Sequence, residues 1–266
     1  MWAKIKLWKK KTDSWSQKDD LVVREDALQI LIQRPGEKPR PLSITMRTPG
    51  DDIALAVGFM YGEGLINADS TYSGAQLDAE TVLIDIQSES LQVEPIPERN
   101  FYMTSSCGVC GKASIEALKI HRSPISTSSL FDMKMVAEFY NLMAAHDSSY
   151  SLTGGCHSAG VFEFDGTVRA LSEDVGRHNA VDKCCGKILL NEGGFESPSV
   201  LCLSGRSCYE LIQKGVMMNC AIIISVGAPS SLAIETATEL GVTLVGFYKK
   251  SGYNIYTHPE RLDTFK

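Results

Sequence analysis

Along the first hundred residues, short apolar runs alternate with turn signals, the spacing of strands. Leu28-Gln29-Ile30-Leu31-Ile32 reads as a strand closed by the turn Arg34-Pro35-Gly36, and Pro41-Leu42-Ser43-Ile44-Thr45-Met46 as a second. Thr48-Pro49-Gly50-Asp51-Asp52 then opens a helix, with aspartates at its positive end and Ile53, Leu55, Ala56, Phe59 and Met60 on an apolar side. Thr81–Ile86 and Ser90–Val93 read as a hairpin. From Phe101 the pattern changes. Met135, Val136, Phe139, Leu142 and Met143 recur at helical spacing, and Val161–Phe164 and Thr167–Leu171 flank the hairpin turn Asp165-Gly166. Apolar strands at 199–203, 221–226 and 242–247 are separated by helical runs near 178–190, 208–218 and 230–239. Compact strand–helix–strand repeats of this kind predict a largely parallel sheet with helices on its faces. The chain therefore divides into a strand-rich, mixed α+β part, residues 1–100, and an α/β main part, residues 101–266.

Composition narrows the classes. The 266 residues are 44% hydrophobic and 22% charged, with a net charge of -6. That balance suits a soluble globular chain and argues against a general nucleic-acid binder, which is normally basic. No run approaches the roughly 20 apolar residues of a membrane span. The basic start, Met1 to Lys11, lacks the apolar core and cleavage site of a secretory leader, and is read as a solvated terminus. The expected compartment is the reducing cytoplasm, where eight cysteines do not form a disulfide framework. Cys202 and Cys220 sit in strand-like runs and are expected in the core; Cys184 and Cys185, adjacent on a helix, are expected to be structural too.

The concentrated chemistry lies in Ser105-Ser106-Cys107-Gly108-Val109-Cys110-Gly111-Lys112. Two thiols stand just ahead of a helix-forming run, where the dipole and a nearby lysine favour thiolate. Sulfur chemistry is the first reading, a metal site the second and a redox dithiol the third. In an α/β sheet, ligands bind beyond the carboxyl ends of the strands. Three loops leave strands there: Ser172–Asn179, which contains Glu173, Asp174, Arg177 and His178; Ser204-Gly205-Arg206-Ser207; and Gly227-Ala228-Pro229-Ser230-Ser231. Small residues let amides approach an anion, and Arg206 suits a phosphate. Each loop also reads as an ordinary connection with a cap, and His178 as a base, a phosphate contact or a cap. A zinc site would draw on Cys107, Cys110, Cys156 and His157, though an adjacent Cys-His pair is awkward for one ion. A deaminase motif is not met: Ala159 stands where His-x-Glu requires the acid, and Ser106 where the proline belongs.

Together these segments resemble the FdhD family, accessory sulfurtransferases for formate dehydrogenase. The resemblance runs through most of the chain: Thr48-Pro49-Gly50-Asp51 with Gly58-Phe59, Ser106–Gly111, Thr153–His157, Glu173–Ala180, Ser204-Gly205-Arg206, Gly227–Ser230 and Tyr256–Arg261. It implies a three-layer α/β/α, cytidine-deaminase-like main domain and a homodimer. It also implies a sulfur carrier between a cysteine desulfurase and formate dehydrogenase, with the molybdenum (or tungsten) bis-molybdopterin guanine dinucleotide as bound substrate rather than resident cofactor. By the family pattern, Cys107 corresponds to the persulfide carrier and Cys110 to its companion. Phe247-Tyr248-Lys249-Lys250-Ser251-Gly252 matches the family's cofactor-binding stretch, which Ser204, Gly205, Arg206 and His178 would complete.

Overall fold

The structure, a computed structural model, describes residues 2–87, 101–102, 123–146 and 148–265. Ten basic or apolar residues expected to form a solvated terminus instead make strand β1 (Trp2–Lys11), paired along its whole length with β2 (Ser14–Val23). Both faces of this hairpin are largely exposed, so it has no inward apolar alternation to announce it. Cross-strand pairs hold it: Lys4 with Asp19 at 3.0 Å, and Lys10 over the Trp15 ring.

The next strands make a five-stranded sheet in the order β5-β6-β3-β4-β7: β3 (Asp26–Gln33), β4 (Arg40–Arg47), β5 (Tyr72–Asp78), β6 (Thr81–Ile86) and β7 (Phe101–Tyr102). Strict alternation in β3 turns Leu28, Ile30 and Ile32 inward, and β6 does the same with Val82, Ile84 and Ile86. The expected partner of β6, residues 90–93, lies outside the described residues. β6 instead forms its hairpin with the preceding β5 and a parallel pair with β3.

Helix α1 (Asp52–Gly62) is buried from Ala54 to Gly62, all the way round. The reason is its position: one side meets β5 and β6, the other meets α4 (Arg177–Glu192). Where α1 and α4 cross, glycines let the backbones touch. A Cβ on Gly58 would strike the Asp182 carbonyl, and one on Gly186 the Ala54 carbonyl.

Beyond α4 stands a six-stranded sheet, order β13-β12-β11-β10-β8-β9: β8 (His157–Glu163), β9 (Val168–Asp174), β10 (Ser199–Leu203), β11 (Cys220–Ser225), β12 (Thr243–Lys249) and β13 (Gly252–Thr257). The expectation of a largely parallel sheet needs correcting. Only β10–β11 and β11–β12 are parallel, and the hairpins β8–β9 and β12–β13 make the edges antiparallel. The central strands are buried on both faces, as their unbroken apolar runs require. Val161, Leu201, Leu203, Ile223 and Leu244 pack in one core with α1, α4, α5 (Tyr209–Met217) and α6 (Ser231–Glu239). Phe162, Val200, Cys202, Ile222, Ile224 and Val245 pack on the opposite face with Phe131 and α2 (Val136–His146). The fold is mixed α/β. Cys184, Cys185, Cys202 and Cys220 are buried, as expected, and burial pushes the Cys220 thiol up to about 12.

Candidate functional site at the strand ends

The strand directions place the expected loops together. β10, β11 and β12 run parallel, so Leu203, Ser225 and Phe247 emerge at one end of the sheet. β8 is antiparallel to β10 and β9 to β8, which brings His157 and Asp174 to that same end. The loops after β10 and β11 then interlock. Gly227 N donates to Gly205 O (3.0 Å), Ser207 N to Ala228 O (3.2 Å), Ser230 N to Ser207 O (3.1 Å), and Phe247 N to Gly227 O (3.1 Å). Glycine is needed at 227, where a Cβ would sit 2.9 Å from the Arg206 backbone, and at 205 a Cβ would crowd the His157 ring at 3.1 Å. Ser204 Oγ accepts from Ser158 N at 2.8 Å, fixing the first loop to β8.

Around this floor lie cations and donors. Arg206, Lys249 and Lys250 are exposed. Arg177 Nε and Ser207 Oγ are buried with no hydrogen-bond partner among the described residues. Phe247 holds φ at 54°, a strained value for a bulky residue, and is 46% exposed beside the Gly227 loop. Ser251 and Gly252 form the exposed turn into β13, whereas Tyr248 points to the α2 side, stacked on Tyr140 at 5.1 Å. Of the expected cofactor stretch, Tyr248 is therefore a core residue and the rest surrounds the strand ends.

The loop between β9 and α4 is set by its two acids, each at a different helix. Glu173 takes the amides of Ser149 and Tyr150, at the start of α3 (Ser148–Thr153). Asp174 is fully buried: Oδ1 accepts from Gly176 N and Asn179 Nδ2, and Oδ2 from Thr48 N, with Lys183 Nζ at 2.7 Å. Both act as structural anchors. They leave His178 in the first turn of α4, buried, with its ring against the start of α5.

There the structure assembles a cluster that the sequence reading missed. His178 Nε2 lies 3.2 Å from Cys208 Sγ and 2.9 Å from Glu210 Oε2, and the sulfur lies 3.5 Å from that same oxygen. Burial opposes charge on all three groups, yet their mutual contacts outweigh it. The imidazole is raised above the usual histidine value, and the thiol and the carboxyl are lowered. The available signal was a Cys-x-Glu at a helix start one loop beyond a strand. Cys156 and His157 do not join this cluster. Cys156 is buried 3.9 Å from Thr48 Oγ1, and burial pushes its thiol up to about 11. His157 lies against Gly205, its pKa lowered by burial and then by Arg177, His178 and Arg206. Cys107 and Cys110 lie outside the described residues.

These environments predict a reactivity order among the six described thiols. At about pH 8, a thiol near 11 is thiolate in roughly one molecule per thousand, whereas contact with His178, outweighing burial, holds the Cys208 thiol below its ordinary value, so the ratio of thiolate populations favours Cys208. Part of that ratio is offset by the lower nucleophilicity of the more acidic sulfur. Iodoacetamide, followed by peptide mass spectrometry, is expected to label Cys208 about tenfold faster than Cys156, with Cys184, Cys185, Cys202 and Cys220 labelled only on unfolding. Equal rates at 156 and 208 would remove the basis for an activated Cys208.

A cavity of about 580 Å³ lined by Tyr61, Glu163, Arg169 and Glu192 sits at the other end of β8. Its one cation, Arg169, is already held by Glu163 at 3.2 Å and by Glu192 at 2.6 Å. Among the described residues, no helix is long and apolar enough to cross a membrane.

The model of the FdhD/NarQ family matches residues 23–263. A protein of Picrophilus torridus named sulfur carrier protein FdhD is 41% identical over 244 residues, covering 91% of this chain and 92% of its own. Proteins of the same name from Streptomyces coelicolor (40% identical, 93% and 90% covered) and Sulfolobus acidocaldarius (34%, 98% and 98%) are also similar. The fold matches a crystal structure of a candidate formate dehydrogenase accessory protein from Desulfotalea psychrophila, with a TM-score of 0.80, 22% identity, and 98% and 99% of the two chains covered.

Proposed function

The chain belongs to the FdhD/NarQ family, and from that premise we propose that it is a carrier-type sulfurtransferase serving formate dehydrogenase. Cys107 accepts sulfur from a cysteine desulfurase and passes it to the molybdenum (or tungsten) bis-molybdopterin guanine dinucleotide, bound as substrate before insertion into the enzyme. What supports this reading is the convergence of exposed Arg206, Lys249 and Lys250 with the unpartnered Arg177 Nε and Ser207 Oγ at one end of the sheet. That end suits a large polyanionic ligand, and phosphates favour such donors. Phe247, exposed at the same place, offers a flat apolar surface to a base.

The sulfur steps balance without an outside oxidant. The Cys107 thiolate attacks the terminal sulfur of the desulfurase persulfide; the old S–S bond breaks, the desulfurase thiolate leaves, and Cys107 carries the persulfide. Cys110 then attacks the inner sulfur, forming a Cys107–Cys110 disulfide and releasing hydrosulfide for the bound substrate. On the same reading residues 101–266 form the cytidine-deaminase-like three-layer domain, residues 1–100 the smaller one, and the protein works as a cytoplasmic homodimer.

Intact-mass spectrometry after incubation with a desulfurase and cysteine tests the first step. One added sulfur, localised to Cys107 and lost in Cys107→Ala together with formate dehydrogenase maturation, is the expected result. An adduct and full maturation in Cys107→Ala would overturn the assignment.

A further inference from the structure

We propose that His178, Cys208 and Glu210 form a binding site for a zinc-type divalent cation, separate from the Cys107–Cys110 pair. Three donors from two helices meet at a point: His178 from the first turn of α4, Cys208 from the N-cap of α5, and Glu210 from the first turn of α5. Nε2, Sγ and Oε2 make a triangle with sides of 2.9, 3.2 and 3.5 Å. For such a triangle, a point about 2.1 Å from every corner lies about 1 Å out of its plane, and zinc bonds to N, O and S run from about 2.0 to 2.3 Å. An ion there would hold three protein ligands on one side and leave its fourth tetrahedral position open, the arrangement of three-ligand zinc sites.

The donor set argues in the same direction. Imidazole, thiolate and carboxylate together suit a borderline-soft ion such as zinc and not magnesium or calcium, which take oxygen. Protons serve the triangle less well. Nε2 carries at most one hydrogen, yet it has both Sγ and Oε2 within 3.2 Å, whereas one cation engages all three atoms at once. The nearby lysine does not cancel the site's two negative charges, because Lys214 Nζ is matched by Asp182 at 2.7 Å and Glu63 at 3.9 Å. His178 Nδ1, which keeps the proton when Nε2 binds a cation, is buried without a partner among the described residues. Affinity is therefore expected below that of sites whose histidine is oriented by a second acceptor, by the 10- to 100-fold such partners contribute.

The test uses the full chain, purified under reducing conditions, equilibrated with zinc chloride and desalted. About one zinc per chain is expected by elemental analysis, with a thiolate-to-metal charge-transfer band when cobalt(II) replaces zinc. Cys208→Ser and Glu210→Gln should each lose the metal and the band, and lose the rise in Tm that zinc gives the parent chain. The double variant Cys107→Ala, Cys110→Ala should keep all three. Absence of zinc from the parent chain overturns the site, as does zinc kept by Cys208→Ser and Glu210→Gln but lost from the Cys107/Cys110 variant. Should Cys208→Ser fail to fold by circular dichroism, the Glu210→Gln chain decides. The readout is metal content, so it stands or falls apart from sulfur transfer.

Discussion

Gly186→Ala is expected to cost about 4 kcal/mol or more, enough to leave little folded protein at ordinary temperatures. In an exposed helix the same change would gain up to about 1 kcal/mol, because alanine is the better helix former. Here geometry reverses the sign. The added methyl would fall on the Ala54 carbonyl, and across the crossing a methyl on Gly58 would fall on that of Asp182. Neither obstacle is the end of a flexible side chain, so α1 and α4 must move apart as whole helices. That separation opens the core on both sides, since α1 is buried from Ala54 to Gly62 between the five-stranded sheet and α4. Gly58→Ala should behave alike. Gly194→Ala is the control: its methyl would meet only the Ala68 side chain at 3.5 Å, an ordinary contact, and should change stability by less than about 0.5 kcal/mol. Urea unfolding of the three variants checks this, and a Gly186→Ala midpoint near the parent's would show that the helices do not pack this closely.

The helix crossing also shows what can be read from one sequence and what cannot. The strands at 199–203 and 220–225, and the buried first half of 243–249, were legible because a strand buried on both faces reads as a nearly continuous apolar run. The helices between them were legible from 3.6-residue spacing and from caps such as Ser230, whose side chain accepts from Ala233 N. Sheet polarity was not, because the partner that satisfies a strand's amides lies outside the local pattern. The repeats after residue 199 suggested parallel pairing, and the edge hairpins β8–β9 and β12–β13 made the sheet mixed. The hairpin β1–β2 was missed because a ribbon wet on both faces carries no alternation. At the site, the loops at 204–207 and 227–231 were found from their small residues and arginine, and strand direction then brought them together. Cys208 was missed because a thiol's environment depends on residues 30 positions away, and only the fold brings His178 to it.

Asp174→Ala is expected to destabilise the chain by about 3 to 5 kcal/mol, the usual cost of leaving one member of a buried ion pair alone. Lys183 is 2% exposed, and without the carboxylate its ammonium keeps only the Thr48 carbonyl at 2.8 Å. The amides of Thr48 and Gly176 lose their acceptor at the same time, each a further buried donor without a partner. Asp174→Asn should recover little, because an amide offers one acceptor oxygen where four donors converge, and turns an NH2 toward the others. Removing the stranded charge as well should restore much of the loss: the double variant Asp174→Asn, Lys183→Met is expected to be more stable than Asp174→Asn alone by about 1 kcal/mol or more. The consequence reaches the site. Asp174 joins the Thr48 segment to the first turn of α4, and His178 is held against Cys208 and Glu210 only while that turn keeps its place. Folded Asp174→Asn protein at low temperature should therefore show faster alkylation of Cys156, beneath Thr48, and a Cys208 that has lost its advantage over it. If urea unfolding and thiol labelling of Asp174→Asn both match the parent chain, the carboxylate is not the anchor that ties the two halves of the site together.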